Sequence, residues 1–224
     1  MVRVLSDGLA PLNYPLPEVD DQIVIPVRVN GIPPFVSVVV AAGTGGPSDI
    51  HQFFQSIDKR CPAEFFVVQH GPDWIMKLLA WQIKQGAGFS SALAYQDLQP
   101  TRGNIYLAPA DHHLTFSPPP VSLELNQEPK ENYLHPSADC LFRNAATVFG
   151  EFCVAVIFSG VVRDGSKGAR NTKASGGAVF VEDPKAAAVP SMPKTALDSK
   201  VAGAILLLNM LGEVVMDQGY HLNE

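Results

Sequence analysis

From Phe35 to Val181 the chain alternates short, unbroken apolar runs with stretches in which apolar positions recur every three or four residues. Val36–Ala42, Phe65–Gln69, Cys153–Phe158 and Ala178–Val181 are rich in β-branched and aromatic side chains and lack polar alternation. That is the pattern of strands covered on both faces. Between them, Ile50, Phe53, Phe54 and Ile57 fall at helical spacing and predict a helix over Ser48–Asp58. Ile75, Leu78 and Leu79 give an apolar face to a second helix over Asp73–Gln85. Ser137–Phe149 is predicted helical with Ser137 as its cap, and Asp164–Ala174 follows as another helix. A short strand is expected at Ala92–Tyr95. The middle of the chain departs from this alternation. There IYLAPADHHLTF, an SPPP turn and VSLEL predict a hairpin between Leu114–Phe116 and Val121–Leu125. Beyond Val181 the chain reads as mostly helical, with the apolar run Ala202–Leu208 as a core helix. Phe53, Phe54, Trp74 and Trp81 are assigned to core or rim packing.

Strands alternating with helices of this length predict an α/β fold with a doubly wound, mostly parallel sheet, Rossmann-like in its three layers, and an antiparallel hairpin at one edge. Residues 1–34 read differently. Pro11, Pro15, Pro17, Pro26, Pro33 and Pro34 punctuate them, and Pro26 demotes the run Ile23–Val29 to an edge strand or extended arm. The expected organisation is thus a proline-rich arm over 1–34 and one domain over 35–224.

Bulk properties narrow the function. A net charge of −6 with scattered basic residues argues against a nucleic-acid partner. No apolar run approaches the roughly 18 residues of a membrane span, and the first residues hold no secretory apolar core, so no membrane insertion is expected. Cys61, Cys140 and Cys153 form an odd set without CxxC spacing, read as reduced, buried thiols. The expectation is a soluble cytoplasmic protein.

In such a sheet, ligands meet the carboxyl ends of the strands. Three ends carry candidate groups: Gly43–Thr44, Gln69–His70 and Ser159–Asp164. A hydroxyl, an imidazole and a carboxylate meeting there would serve as nucleophile, general base and orienting acid. Each residue also has a simpler reading. Gly43 would supply the φ > 0 of a tight turn, His70 a structural hydrogen bond, and Asp164 a cap for the helix that starts at its own position. His112 and His113 are adjacent in a predicted strand and point to opposite faces, which argues against a metal site. GTGGPS after a strand has some likeness to a dinucleotide-binding turn. Its third small residue is Ser48, however, and the second strand ends in Gln69-His70 where a ribose-binding carboxylate belongs. No GK[ST] follows the glycines, which excludes a P-loop.

Six segments, in order, resemble the catalytic domain of the chemotaxis protein-glutamate methylesterases of CheB type. Ala41-Ala42-Gly43-Thr44-Gly45-Gly46-Pro47 matches GASTGGP, and Gln69-His70-Gly71-Pro72 matches QHMP. Arg102 to His113 matches PGxIYIAPGxxH, and His135 to Ala146 matches RPSVDxLFxSAA. Ser159 to Gly168 matches TGMGxDGAxG, and Ser191 to Ala196 matches GMPxxA. The resemblance implies hydrolysis of glutamate methyl esters on a methyl-accepting chemoreceptor or similar helical protein, without a metal or other cofactor. It places His70 on the general base, Asp164 on the orienting carboxylate and Gly43 on the catalytic serine. Gly45, Gly46 and Val161 fall where substrate or an anion would bind. Gly43 lacks the oxygen that would carry an acyl group, so the resemblance implies an impaired esterase. Thr44 is the nearest substitute hydroxyl, one position out of register, with Ser48 and Ser159 further off. Val161 and Val162 also replace the family's Met-Gly, and Ser191 the glycine of GMP. The 34-residue arm is too short to be the receiver domain that the family usually carries. The alternative is a non-catalytic module that binds a receptor helix, a carboxylate or another anion on the same scaffold.

Overall fold

The computed structural model describes residues 36–61, 63–117, 120–208, 210 and 212. The arm over 1–34 and its expected strand at Ile23–Val29 lie outside the described residues. Strand β1 (Val36–Ala42) is followed by α1 (Gly46–Ser56), β2 (Ala63–Gln69), α2 (Asp73–Gly86), β3 (Ser90–Leu93) and β4 (Asn104–Leu107). Next come β5 (His113–Phe116) and β6 (Leu123–Asn126), then α3 (Ala138–Phe149), β7 (Cys153–Ile157), α4 (Ser166–Ala174), β8 (Ala178–Glu182), α5 (Ser191–Asp198) and β9 (Ala204–Leu206). Seven strands form one sheet in the order β3-β4-β2-β1-β7-β8-β9, and every pairing in it is parallel. The predicted hairpin exists as β5 and β6, which pair with each other as a separate two-stranded antiparallel sheet.

All seven residues of β1 are buried, as an unbroken apolar run requires when helices cover both sheet faces. Val36, Val38, Val40 and Ala42 pack with Ile50, Phe53 and Phe54 of α1 and Leu79 and Ile83 of α2. Val39 and Ala41 face the opposite layer, with Leu141 and Phe142 of α3, Ala169 of α4 and Met192 and Ala196 of α5. The chain moves from β1 toward β2 on one side and from β7 toward β9 on the other. β1 and β7 are therefore the point where strand order reverses, and where a doubly wound sheet opens a crevice.

Two expectations need correction. The run Ala202–Leu208 is not a core helix, because Ala204–Leu206 pairs with Phe180–Glu182 as the edge strand β9. A short apolar run does not distinguish the two by periodicity. On α2 the buried positions are Met76, Leu79, Ala80 and Ile83, whereas Leu78, Trp74 and Trp81 are exposed at 44%, 63% and 60%. The two tryptophans are therefore not core.

Candidate active site

Backbone hydrogen bonds set the tips of β1, β2 and β7 level with one another. His70 N–H donates to the Ala42 carbonyl at 2.8 Å, Phe158 N–H to that of Ala41 at 2.9 Å, and Gly43 N–H to that of Ser159 at 2.8 Å. The parallel register, with Ala42 opposite Gln69 and Ala41 opposite Ile157, brings the residues just past each strand into one crevice.

His70 Nε2 lies 2.9 Å from Asp164 Oδ2. An ionised carboxylate only accepts, so Nε2 carries the proton and the neutral ring's lone pair sits on Nδ1. That Nδ1 is buried and has no hydrogen-bond partner. It faces residue 43, where a Cβ would stand 3.4 Å away. Gly43 itself is not among the glycines with positive φ; the left-handed residue of the turn is Gly45, at 91°. The conformation at 43 thus does not require glycine, contrary to the turn reading above. A Cβ there would also meet Met192 Sδ at 3.6 Å and, tightly, Gly160 Cα at 3.0 Å.

Asp164 is buried and is held by the start of α3. It accepts from Ser137 Oγ at 2.9 Å, Ala138 N–H at 2.6 Å and Asp139 N–H at 2.9 Å, and from its neighbour Gly165 N–H at 3.0 Å. Burial alone would raise its pKa. The hydrogen bond and charge of His70, with the Asp139 and Ala138 amides, outweigh that and hold Asp164 below the ordinary carboxylate range. The carboxylate therefore meets the free N–H groups of α3; α4 has Gly165 as its N-cap, with no side-chain cap bond. Ser137 is the N-cap of α3, as its position predicts, and its Oγ accepts from Cys140 N–H at 3.4 Å.

The other candidate hydroxyls are engaged or exposed. Ser159 is buried and donates through Oγ to Glu182 Oε2 at 3.0 Å. Ser48 is exposed and accepts from Gln52. Thr44 is exposed and no hydrogen bond joins it to His70. The N–H groups of Thr44 and Gly45 meet no backbone acceptor among the described residues, whereas Gly46 N–H donates to the Gly43 carbonyl at 2.9 Å. Val161 lies on the rim, 60% exposed. His113 is buried, its Nδ1 3.2 Å from the Ser137 N–H that donates to it, while His112 engages Gln127. Among the described residues no group of three or more His, Cys, Asp or Glu is placed to hold a metal ion.

Two supporting residues went unassigned from sequence. One is Ser137, read only as a cap. The other is Glu182, the last residue of β8, which binds Ser159 through N–H at 2.8 Å as well as Oγ. Burial pushes the Glu182 carboxyl up to about 7, with the charge of Asp49 adding to the shift. A carboxylate closing an apolar strand at the carboxyl edge was the available signal.

The CheB methylesterase family model matches residues 38–215. A protein-glutamate methylesterase/protein-glutamine glutaminase of Rhodospirillum rubrum is 34% identical over 184 residues, covering 80% of this chain and 47% of the relative. Protein-glutamate methylesterase FrzG of Myxococcus xanthus is 31% identical over 184 residues, covering 82% and 55%. The chain thus spans about half the length of the curated relatives it matches. The crystal structure of the Thermotoga maritima CheB methylesterase catalytic domain superposes with a TM-score of 0.79 at 30% identity, covering 81% of this chain and 97% of that one.

Proposed function

The chain belongs to the CheB methylesterase family, and from that premise we propose that its crevice is a protein-glutamate methylesterase site without its nucleophile. Gly43 occupies the nucleophile position, His70 is the general base and Asp164 orients it. The observation that carries this reading is the unpartnered His70 Nδ1, aimed at residue 43 while Nε2 is tied to Asp164. In a double displacement, Nδ1 would take the proton of a hydroxyl at 43 as its oxygen attacked the ester carbonyl and pass it to the departing methanol. Water, giving its proton to the same Nδ1, would then cleave the acyl-enzyme and return the proton to the hydroxyl. With Gly43 no acyl-enzyme forms. The remaining route is attack by water from which His70 takes the proton, a slow one. Thr44 and Gly45 N–H would face the developing oxyanion. The substrate proposed is a methylated chemoreceptor or similar helical protein. A cytoplasmic setting fits the three free, buried thiols.

Methanol release from a carboxyl-methylated receptor tests this, comparing the chain with a Gly43→Ser variant. Release should rise by roughly 10³-fold or more in the variant. Equal rates in both would remove Gly43 as the lesion. A binding role without turnover is the second reading, favoured by the same missing hydroxyl beside an intact imidazole–carboxylate pair. Saturable binding of methylated receptor by the unaltered chain, without methanol release, would separate it from slow catalysis.

A further inference from the structure

The outer face of α2 has no role in the crevice or the core, yet it is the most apolar exposed stretch of helix in the described protein. Trp74, Leu78 and Trp81 are exposed at 63%, 44% and 60%. Their spacing of four and then three residues is that of a d-a-d seam in a heptad. In this register Gln85 takes the next a position, and Lys77 and Lys84 take both g positions, beside the seam. The inner face keeps its own set, Met76, Leu79, Ala80 and Ile83, packed against the sheet. α2 therefore buries one face in the fold and presents a second that is patterned to pack against another helix. Isolated exposed apolar residues need no explanation, but two tryptophans aligned with a leucine on one helix face mark an interaction site.

We propose that this face docks an amphipathic α-helix of a partner protein, one with apolar a and d positions flanked by glutamates or aspartates. The charge pattern selects that occupant over a second copy of this chain. Two α2 helices packed antiparallel would oppose lysines at g and g′; packed parallel, they would set those lysines against Ile75 and Gln82 at e′, gaining no ion pair. Lys77 already bonds Asp73 at 2.5 Å with its side chain 65% exposed, so it can turn to a partner's carboxylate at little cost. α2 also begins three residues after His70, with Trp74 in its first turn. On the esterase reading, that proximity places a docked helix beside the strand tip that carries His70. In that last step the inference rests on the esterase reading; the docking itself does not.

Trp74 and Trp81 are the only tryptophans in the chain, so intrinsic fluorescence reports this face without background. The probe is a tryptophan-free heptad peptide with Leu at a and d and Glu at e and g, set against the same peptide with Lys at e and g. The full chain should show a saturable blue shift and protection from acrylamide with the Glu peptide, weakening as salt rises. It should bind the Lys peptide about tenfold more weakly or worse, and the Lys77→Glu/Lys84→Glu double variant should reverse that order. Equal responses to both peptides, no response to either, or a blue shift that depends on protein concentration alone (a second copy) would each overturn the proposal. None of these readings involves turnover. Failure here leaves the esterase reading standing, and an inactive Gly43→Ser variant leaves the docking face standing.

Discussion

At the scale of single residues, the site depends on where one proton sits. His70 Nε2–H points at Asp164 Oδ2, 2.9 Å away, which leaves the basic lone pair on Nδ1. Replacing Asp164 by Asn in a Gly43→Ser background presents an amide that can favour the other tautomer. Methanol release should then fall by roughly 10⁴-fold relative to Gly43→Ser alone; a loss under tenfold would show that Asp164 does not set the tautomer. A Cβ at 43 meets Gly160 Cα at 3.0 Å, so Gly43→Ser should fold with a modest loss of stability, about 1 kcal/mol. Part of this was legible beforehand. His70, Asp164 and Gly43 were each marked by following a buried strand. The demand for φ > 0 was assigned to the wrong glycine, because a run of three glycines around one turn does not say which of them turns left-handed.

At the scale of elements, the carboxylate is held in place by the packing of α3 on α4. Gly168 lets the helices approach. A Cβ there would stand 2.5 Å from Phe142 Cβ and 2.7 Å from the Asp139 carbonyl, and Gly168 N–H donates to Asp139 Oδ1 at 2.7 Å. Gly168→Ala should push α4 off α3, costing about 1–3 kcal/mol in a urea unfolding series. Unchanged stability would mean the helices are not in close contact there. The same pair shows why Asp164 looked like a cap for its own helix. Sequence proximity favoured α4, but the tertiary fold delivers the N-terminus of α3 to the carboxylate, and nothing local encodes that. The edge strand β9 escaped for a similar reason. Its three residues are strand only because β8 is beside them.

At the scale of the whole molecule, the parallel sheet was readable from its alternation of unbroken apolar runs with helical periods. Which strand tips would share a crevice was not, because strand order is a property of the assembled sheet. That sheet also buries acidic groups, which should make stability depend on pH. Burial pushes Glu64 from 4.5 up to about 7, with Ser37 and the charge of Arg102 offsetting part of the rise. The folded state therefore binds this proton more tightly than the unfolded chain. The stability it confers is complete below about pH 4.5 and is lost as pH rises through 7. Glu64→Gln, which can still accept from Ser37 Oγ, should flatten the fall in Tm between pH 5 and 8 and add on the order of 2–3 kcal/mol at pH 8. A variant less stable than the parent at pH 8 would contradict that burial. Treatment with a serine-directed fluorophosphonate, read by intact mass and peptide mapping, probes an imidazole and carboxylate that face a residue with no hydroxyl. No adduct should form on the unaltered chain, and a single adduct should form on residue 43 of Gly43→Ser, abolished by a further His70→Ala. An adduct on the unaltered chain, at Thr44 or any other hydroxyl in the crevice, would contradict that arrangement.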